Sequence, residues 1–110
     1  KILNSLTSDI HSGNNPRYGR RGRIPNSLNI PFHELLVSET GKFRNIKELL
    51  KLFSDKKIDK HYKILNYCGG GIAASLEAFV LYQLSYENIM IYDNSLSEWA
   101  IDDDLPIETD

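Results

Sequence analysis

The chain has 110 residues, 41% hydrophobic and 25% charged, with a formal net charge of −2. That is the size and balance of one ordinary globular domain with a single core, and the slightly acidic total predicts no nucleic-acid partner. A single cysteine excludes an internal disulfide and a cysteine-built zinc site, three scattered histidines (His11, His33, His61) show no metal spacing, and no stretch approaches the roughly 20 apolar residues of a membrane span.

Residues 1–6 (Lys-Ile-Leu-Asn-Ser-Leu) read as a short strand. Positions 7–26, rich in Gly, Asn and Pro, read as a long surface loop carrying Arg17, Arg20, Arg21 and Arg23. Ser27 to Ile30 is a short strand ended by Pro31, and Phe32 to Leu36 a helical turn. Apolar residues at 46, 49, 50 and 53 follow the i, i+3, i+4, i+7 pattern of a helix. A charged connection from Lys56 to His61 leads into a strand from Tyr62 to Tyr67. Ala73 to Leu84 is the strongest helix, with Leu76, Phe79, Val80 and Leu84 on one stripe; Phe79 and Trp99 are expected in the core. A strand from Asn88 to Tyr92 and a short helix from Ser95 to Ala100 follow, the latter oriented by Asp93 and Glu98. Asp102-Asp103-Asp104 reads as a solvated turn. Strands alternating with helices predict βα units and a mainly parallel sheet.

Cys68 stands where the third predicted strand ends, followed by Gly69-Gly70-Gly71 and then a helix start. Ligands in parallel sheets bind at the carboxyl ends of strands. Glycines let the backbone turn tightly with its N–H groups inward, and a helix N-terminus adds positive potential. Both favour a thiolate or a bound anion. Three readings stand. The thiol is a small buried hydrophobe; or the loop is a phosphate cradle; or Cys68 accepts a sulfane sulfur and holds it as a persulfide. The cradle fits poorly. Gly71-Ile72-Ala73 lacks the Gly-Lys-Ser/Thr of a Walker loop, and Ala74 stands where a cysteine phosphatase needs an arginine for the phosphoryl oxygens. Persulfide chemistry asks only for a nucleophile and a ring of backbone donors, with no required metal or cofactor.

At this point three motifs, in order, resemble the rhodanese (thiosulfate/3-mercaptopyruvate sulfurtransferase) family. Gly22-Arg23-Ile24-Pro25-Asn26-Ser27-Leu28-Asn29-Ile30-Pro31 is similar to Gly-His-Ile-Pro-Gly-Ala-x-Asn-Ile-Pro. Cys68-Gly69-Gly70-Gly71-Ile72-Ala73-Ala74 resembles the mercaptopyruvate-type loop Cys-Gly-Ser-Gly-Val-Thr-Ala, and Tyr92-Asp93-Asn94-Ser95-Leu96-Ser97-Glu98-Trp99 the closing Tyr-Asp-Gly-Ser-Trp-x-Glu-Trp. The resemblance implies a three-layer α/β fold with a mainly parallel central sheet flanked by helices. It also implies Cys68 as the nucleophile, and Gly69, Gly70, Gly71, Ile72 and Ala73 as the substrate-binding cradle. Arg17 matches a substrate-binding position, while Arg20 and Arg21 are either further anion ligands or solvated, and Arg23 takes the place of a structural histidine.

The chain departs from the family at several positions. The Asp-x-Arg of the first strand stands here as Asn4-Ser5-Leu6, and an arginine before the loop as Ile10. The loop Ser is Gly70 and the Thr is Ala73, which removes a serine-based proton relay. His11 is either a proton donor near the site or a plain loop residue. The reading is a sulfurtransferase moving sulfur from a small anionic donor, such as thiosulfate or 3-mercaptopyruvate, to a thiol or cyanide acceptor. The alternative is a weakly active or non-catalytic domain serving protein binding or regulation. Residues 1–110 are expected to be one domain of a longer cytoplasmic protein, preceded by a non-catalytic domain of the same type.

Overall fold

The computed structural model describes residues 1–110. The elements are β1 (Ile2–Asn4), α1 (Ser8–Ser12), β2 (Ser27–Asn29), a 3-10 turn (Phe32–Leu35), α2 (Ile46–Asp55), β3 (Ile64–Tyr67), α3 (Ile72–Gln83), β4 (Ile89–Ile91) and α4 (Ser95–Trp99). All strand pairs are parallel, in the order β2-β1-β3-β4. The fold is therefore α/β, with a parallel sheet flanked by helices. The register pairs Asn4 with both Asn29 and Tyr67, so the carboxyl ends of β1, β2 and β3 finish level. The chain leaves β1 toward β2 on one side and returns at β3 on the other. The crevice between β1 and β3 is thus the topological switch point where such sheets bind ligands, and Cys68 directly follows β3.

Local chemistry explains the helices. Asn45 caps α2 by accepting the Glu48 N–H at 2.9 Å, and Leu49 and Phe53 bury one face while Lys47 and Lys51 face out. Burial forms two clusters. One packs Leu3, Leu35, Phe53, Ile64 and Leu81 around the body of the sheet. The other packs Leu6, Ile10, Tyr67, Cys68, Ala74 and Leu96 at the carboxyl ends of β1 and β3.

Two expectations change. The stretch 7–26 contains α1, too short for periodicity to register, closed by Gly13 in a left-handed conformation (φ 101°). Phe79 is 53% exposed, not core. The face of α3 that meets the sheet is Ala74, Glu77, Ala78 and Leu81, an i, i+3, i+4, i+7 set built from small residues and one carboxyl. Small side chains let the helix lie close to the sheet, and that rotation turns Phe79 and Tyr82 outward. Val80 and Leu84 are buried as expected, and Trp99 is half-buried with Nε1 donating to the Pro106 carbonyl at 2.7 Å. No helix is long and apolar enough to cross a membrane.

Candidate active site

The loop after β3 is shaped from both sides. Leu96 N–H donates to the Cys68 carbonyl at 2.9 Å and Ser97 N–H to the Gly69 carbonyl at 3.0 Å, so the first amides of α4 take the loop's carbonyls. Ser95 Oγ accepts the Cys68 N–H at 3.0 Å and donates to the Tyr92 carbonyl at 2.7 Å. With its carbonyls held by α4, the loop brings one N–H onto the thiol. Gly71 N–H donates to Cys68 Sγ at 3.0 Å. Gly71 sits at φ 99°, and a Cβ there would lie 2.7 Å from the Asp93 carbonyl oxygen. Glycine is thus required twice over, by conformation and by close approach. Gly71 is also the N-cap of α3, whose N-terminus brings positive potential to the sulfur.

The other two loop glycines differ. At Gly69 a Cβ would run into the Tyr18 ring, so glycine admits that ring against the loop. Gly70 is exposed, and a Cβ there meets nothing within 4 Å. Neither backbone strain nor crowding demands glycine at that position.

Cys68 is 2% exposed, at the floor of a cavity of about 770 Å³. Its walls are mostly apolar, including Leu6, Ile10, Phe32, Ile72 and Leu76, with Tyr18 and Arg17 beside them. No Asp, Glu, His or Lys lines it. Nor does any group of three or more His, Cys, Asp or Glu side chains elsewhere converge to hold a metal ion.

Tertiary contacts sort the four arginines. Arg20 donates to the carbonyls of Ala100, Trp99, Asp102 and Leu105 at 2.7–3.2 Å. Arg21 donates to the carbonyls of Gly13 and Asn14 at 3.1 and 2.9 Å. Arg23 pairs with Glu108 and Asp110 at 3.0 and 2.6 Å and donates to the His11 carbonyl. These three fasten the loop to the C-terminal segment and to itself. Arg17 makes no such bond; its guanidinium lies 5.6 Å from the Tyr18 ring centre, at the cavity. Asp9 shapes the approach to it. Its carboxylate bonds the Thr7 hydroxyl and accepts from Asn15 Nδ2 at 3.1 Å, and these bonds, Thr7 foremost, hold its carboxyl below the usual carboxylate range.

His11 does not line the cavity. Its Nδ1 bonds Asn4 Nδ2 at 2.9 Å, and burial together with the Arg23 charge lowers its pKa to about 4. Asn4 in turn accepts the Leu6 N–H at 2.9 Å. A neutral hydrogen-bonded corner therefore stands where the family pattern has an acid and an arginine. Behind it, Asn66 Nδ2 donates to Ser5 Oγ at 2.8 Å, and Glu77 is fully buried. Burial raises the Glu77 pKa well above the ordinary carboxylate value.

Of the expected residues, the fold gathers Cys68, Gly69, Gly70, Ile72, Ala73 and Arg17 around one cavity, with Gly71 bonding the sulfur from beneath. Sequence reasoning missed Tyr18, Phe32, Leu6, Ile10 and Leu76 as walls, and Ser95 as the anchor of the Cys68 amide. Asn94-Ser95 ahead of a helical run was the one available signal for the last.

A parallel sheet with a thiol at its switch point, held in a backbone cradle, is a defined class of α/β domain. The chain belongs to the rhodanese-like domain family, whose pattern matches residues 9–102. It is 36% identical over 94 residues to the 3-mercaptopyruvate sulfurtransferase of Escherichia coli (strain K12), covering 84% of this chain and 33% of that protein. It is 39% identical over 95 residues to the mitochondrial thiosulfate/3-mercaptopyruvate sulfurtransferase 1 of Arabidopsis thaliana, covering 86% of this chain and 25% of that one. The chain thus spans about a quarter to a third of the length of these curated relatives. Among solved structures, wild-type EanB superposes with a TM-score of 0.89 at 19% identity, over 99% of this chain and 27% of that chain. The Tum1 protein of Saccharomyces cerevisiae superposes with a TM-score of 0.79 at 22% identity, over 92% of this chain and 36% of that one. At those identities the structural likeness speaks for the fold.

Proposed function

We propose that the domain transfers sulfur through a persulfide on Cys68. The ionised sulfur attacks the terminal sulfane sulfur of an anionic donor. A new S–S bond forms, the donor's own bond to that sulfur breaks (S–S in thiosulfate, C–S in 3-mercaptopyruvate), and the leaving group departs with the electron pair, the pyruvate enolate taking up the proton of the mercaptopyruvate thiol. With thiosulfate, that leaving group is sulfite. A thiol or cyanide acceptor then takes the outer sulfur and returns the Cys68 thiolate. The carrying observation is the Gly71 N–H on Sγ at 3.0 Å, at the N-terminus of a 12-residue helix and the floor of an open cavity. A charge-assisted bond of this kind strengthens when the sulfur is ionised. Relatives named as sulfurtransferases support the same reading. Arg17 serves as the cation that receives the donor's negative oxygens.

No Asp, Glu, His or Lys lines the cavity, whose hydroxyls are those of Thr7, Tyr18 and Ser75; that favours donors whose sulfur arrives without a proton to remove. We read residues 1–110 as one domain of a longer, two-domain protein, in keeping with the length of the relatives.

The test is intact mass after incubation with thiosulfate, and separately with 3-mercaptopyruvate. The expected result is the gain of one sulfur, absent in Cys68→Ser and removed by cyanide. No added sulfur from these donors or from an organic thiosulfonate would overturn the reading in favour of a non-catalytic binding domain.

A further inference from the structure

Besides Arg17, four side chains bring hydrogen-bonding groups to the cavity over Cys68: Thr7, Asn15, Tyr18 and Ser75. Three of them are bonded within the chain. The Thr7 hydroxyl donates to Asp9 Oδ1, Asn15 Nδ2 to Asp9 Oδ2 at 3.1 Å, and Ser75 Oγ to the Gly71 carbonyl at 2.7 Å. Tyr18 is the exception. Two of the six tyrosines, Tyr62 and Tyr82, are exposed. Among the other four, the hydroxyls of Tyr67, Tyr86 and Tyr92 bond Ser27, the Ile58 carbonyl and Glu98. The hydroxyl of Tyr18, half-buried at the cavity, bonds nothing in the chain. A tyrosine withdrawn from water ordinarily finds its hydroxyl a partner. A free phenol proton at a cavity therefore points to an acceptor that enters with the reaction.

Gly69 sets where that proton stands. A Cβ there would run into the Tyr18 hydroxyl and Cζ, so the phenol lies against the residue that directly follows Cys68. The loop's own nearest donors are engaged: the Cys68 N–H on Ser95 Oγ and the Gly71 N–H on Sγ. Gly70 and Ala73 carry no hydroxyl. When sulfur is transferred, the negative charge moves from Sγ to the outer sulfur, one bond further into a cavity with mostly apolar walls. A charge in such a place is costly without a donor, and hydrogen bonds to charged groups are the stronger kind.

Resting on the persulfide reading above, we propose that the Tyr18 hydroxyl donates a hydrogen bond to the outer sulfur of the Cys68 persulfide. With thiosulfate, Cys68–S⁻ and S₂O₃²⁻ give Cys68–S–S⁻ and SO₃²⁻. One S–S bond forms, one breaks, and the total charge is the same on both sides. The phenol keeps its proton throughout, so the step needs no base.

The test titrates the persulfide. Full-length protein is loaded with thiosulfate, excess donor is removed, and the ultraviolet absorbance of the persulfide anion is followed against pH. The free thiol is titrated in the same way on unloaded protein. Tyr18→Phe keeps the ring beside Arg17 and removes only the hydroxyl. The persulfide midpoint is expected to rise by about one unit, a tenfold weaker hold on the anionic form, while the thiol midpoint stays where it is. Arg17 at the cavity and the buried Glu77, coupled electrostatically to Cys68, are the same in both proteins. Gly69→Ala displaces the hydroxyl without touching residue 18. It should raise the persulfide midpoint by a similar amount in the wild type and by little once Tyr18 is Phe, a non-additivity that a merely structural tyrosine would not produce. An unmoved persulfide midpoint in Tyr18→Phe, a shift of the thiol midpoint in its place, or additive effects of the two substitutions would overturn the assignment while leaving the Cys68 persulfide intact. Absence of a persulfide on the wild-type protein with both thiosulfate and 3-mercaptopyruvate would instead remove the reading beneath it.

Discussion

Glu77 is the side chain whose chemistry fits its place least comfortably. It faces the sheet from α3, fully buried, and neither carboxyl oxygen has a hydrogen-bond partner; Asn66 Oδ1 beside Ser5 is unpaired too. A buried carboxylate without partners is costly, so burial favours its neutral form. Its folded pKa lies above the ordinary 4.5, so its contribution to stability is complete below that value and is lost as pH rises toward the folded pKa. His11 works in the opposite sense. Its pKa falls from 6.5 to about 4 because burial and Arg23 disfavour the charged ring. Its contribution is complete above 6.5 and is lost as pH falls through about 4. Each group contributes a slope of at most about 1.4 kcal/mol per pH unit. Urea unfolding across that range should show Glu77→Gln abolishing the decline at higher pH, and His11→Gln softening the decline on the acid side. Unchanged profiles in both variants would contradict these assignments. Neither effect was legible in the chain, because a glutamate in a helical run reads as solvated until packing puts it against the sheet.

The cysteine loop is joined to two helices, and its glycines are not equivalent. Gly71 ends the turn in a left-handed conformation with the Asp93 carbonyl against it. Gly71→Ala should therefore cost about 2–4 kcal/mol, the sum of a left-handed alanine and a backbone clash. It should slow persulfide formation as the N–H shifts off Sγ. Gly70 has open space around it, so Gly70→Ser should change stability by less than about 0.5 kcal/mol. Paired thermal melts and sulfur-loading rates check both; an equal loss in the two variants would mean the loop relaxes as a unit. The chain announced the strand–glycine–helix order here, since glycine runs and apolar periodicity are local signals. It could not announce that α4, with Leu96 and Ser97 each 28 positions beyond the residue it bonds, holds the loop's carbonyls.

Charge is divided unevenly over the whole molecule. Residues 42–63 carry eight Lys or Arg and three Asp or Glu, whereas residues 64–110 carry nine Asp or Glu and no Lys or Arg. The acidic C-terminal segment therefore draws its cations from the arginine loop, through Arg20 on four carbonyls and Arg23 on Glu108 and Asp110. Arg20→Met should lower stability by about 2–4 kcal/mol in chemical denaturation, because several carbonyls lose one charged donor together. Sulfur loading of Cys68 at low temperature should persist, since Arg20 does not line the cavity. Loss of loading without loss of stability would assign Arg20 to the site instead. By itself the sequence determined the alternation of strands and helices, the parallel sheet and the place of Cys68 at a strand's carboxyl end, because periodicity, glycine and proline act within a few residues. Only the tertiary structure decided which arginine is free, which face of α3 is buried and how apolar the cavity over the thiol is. Those depend on contacts between positions as far apart as Arg20 and Leu105, and such contacts form only when the chain closes on itself.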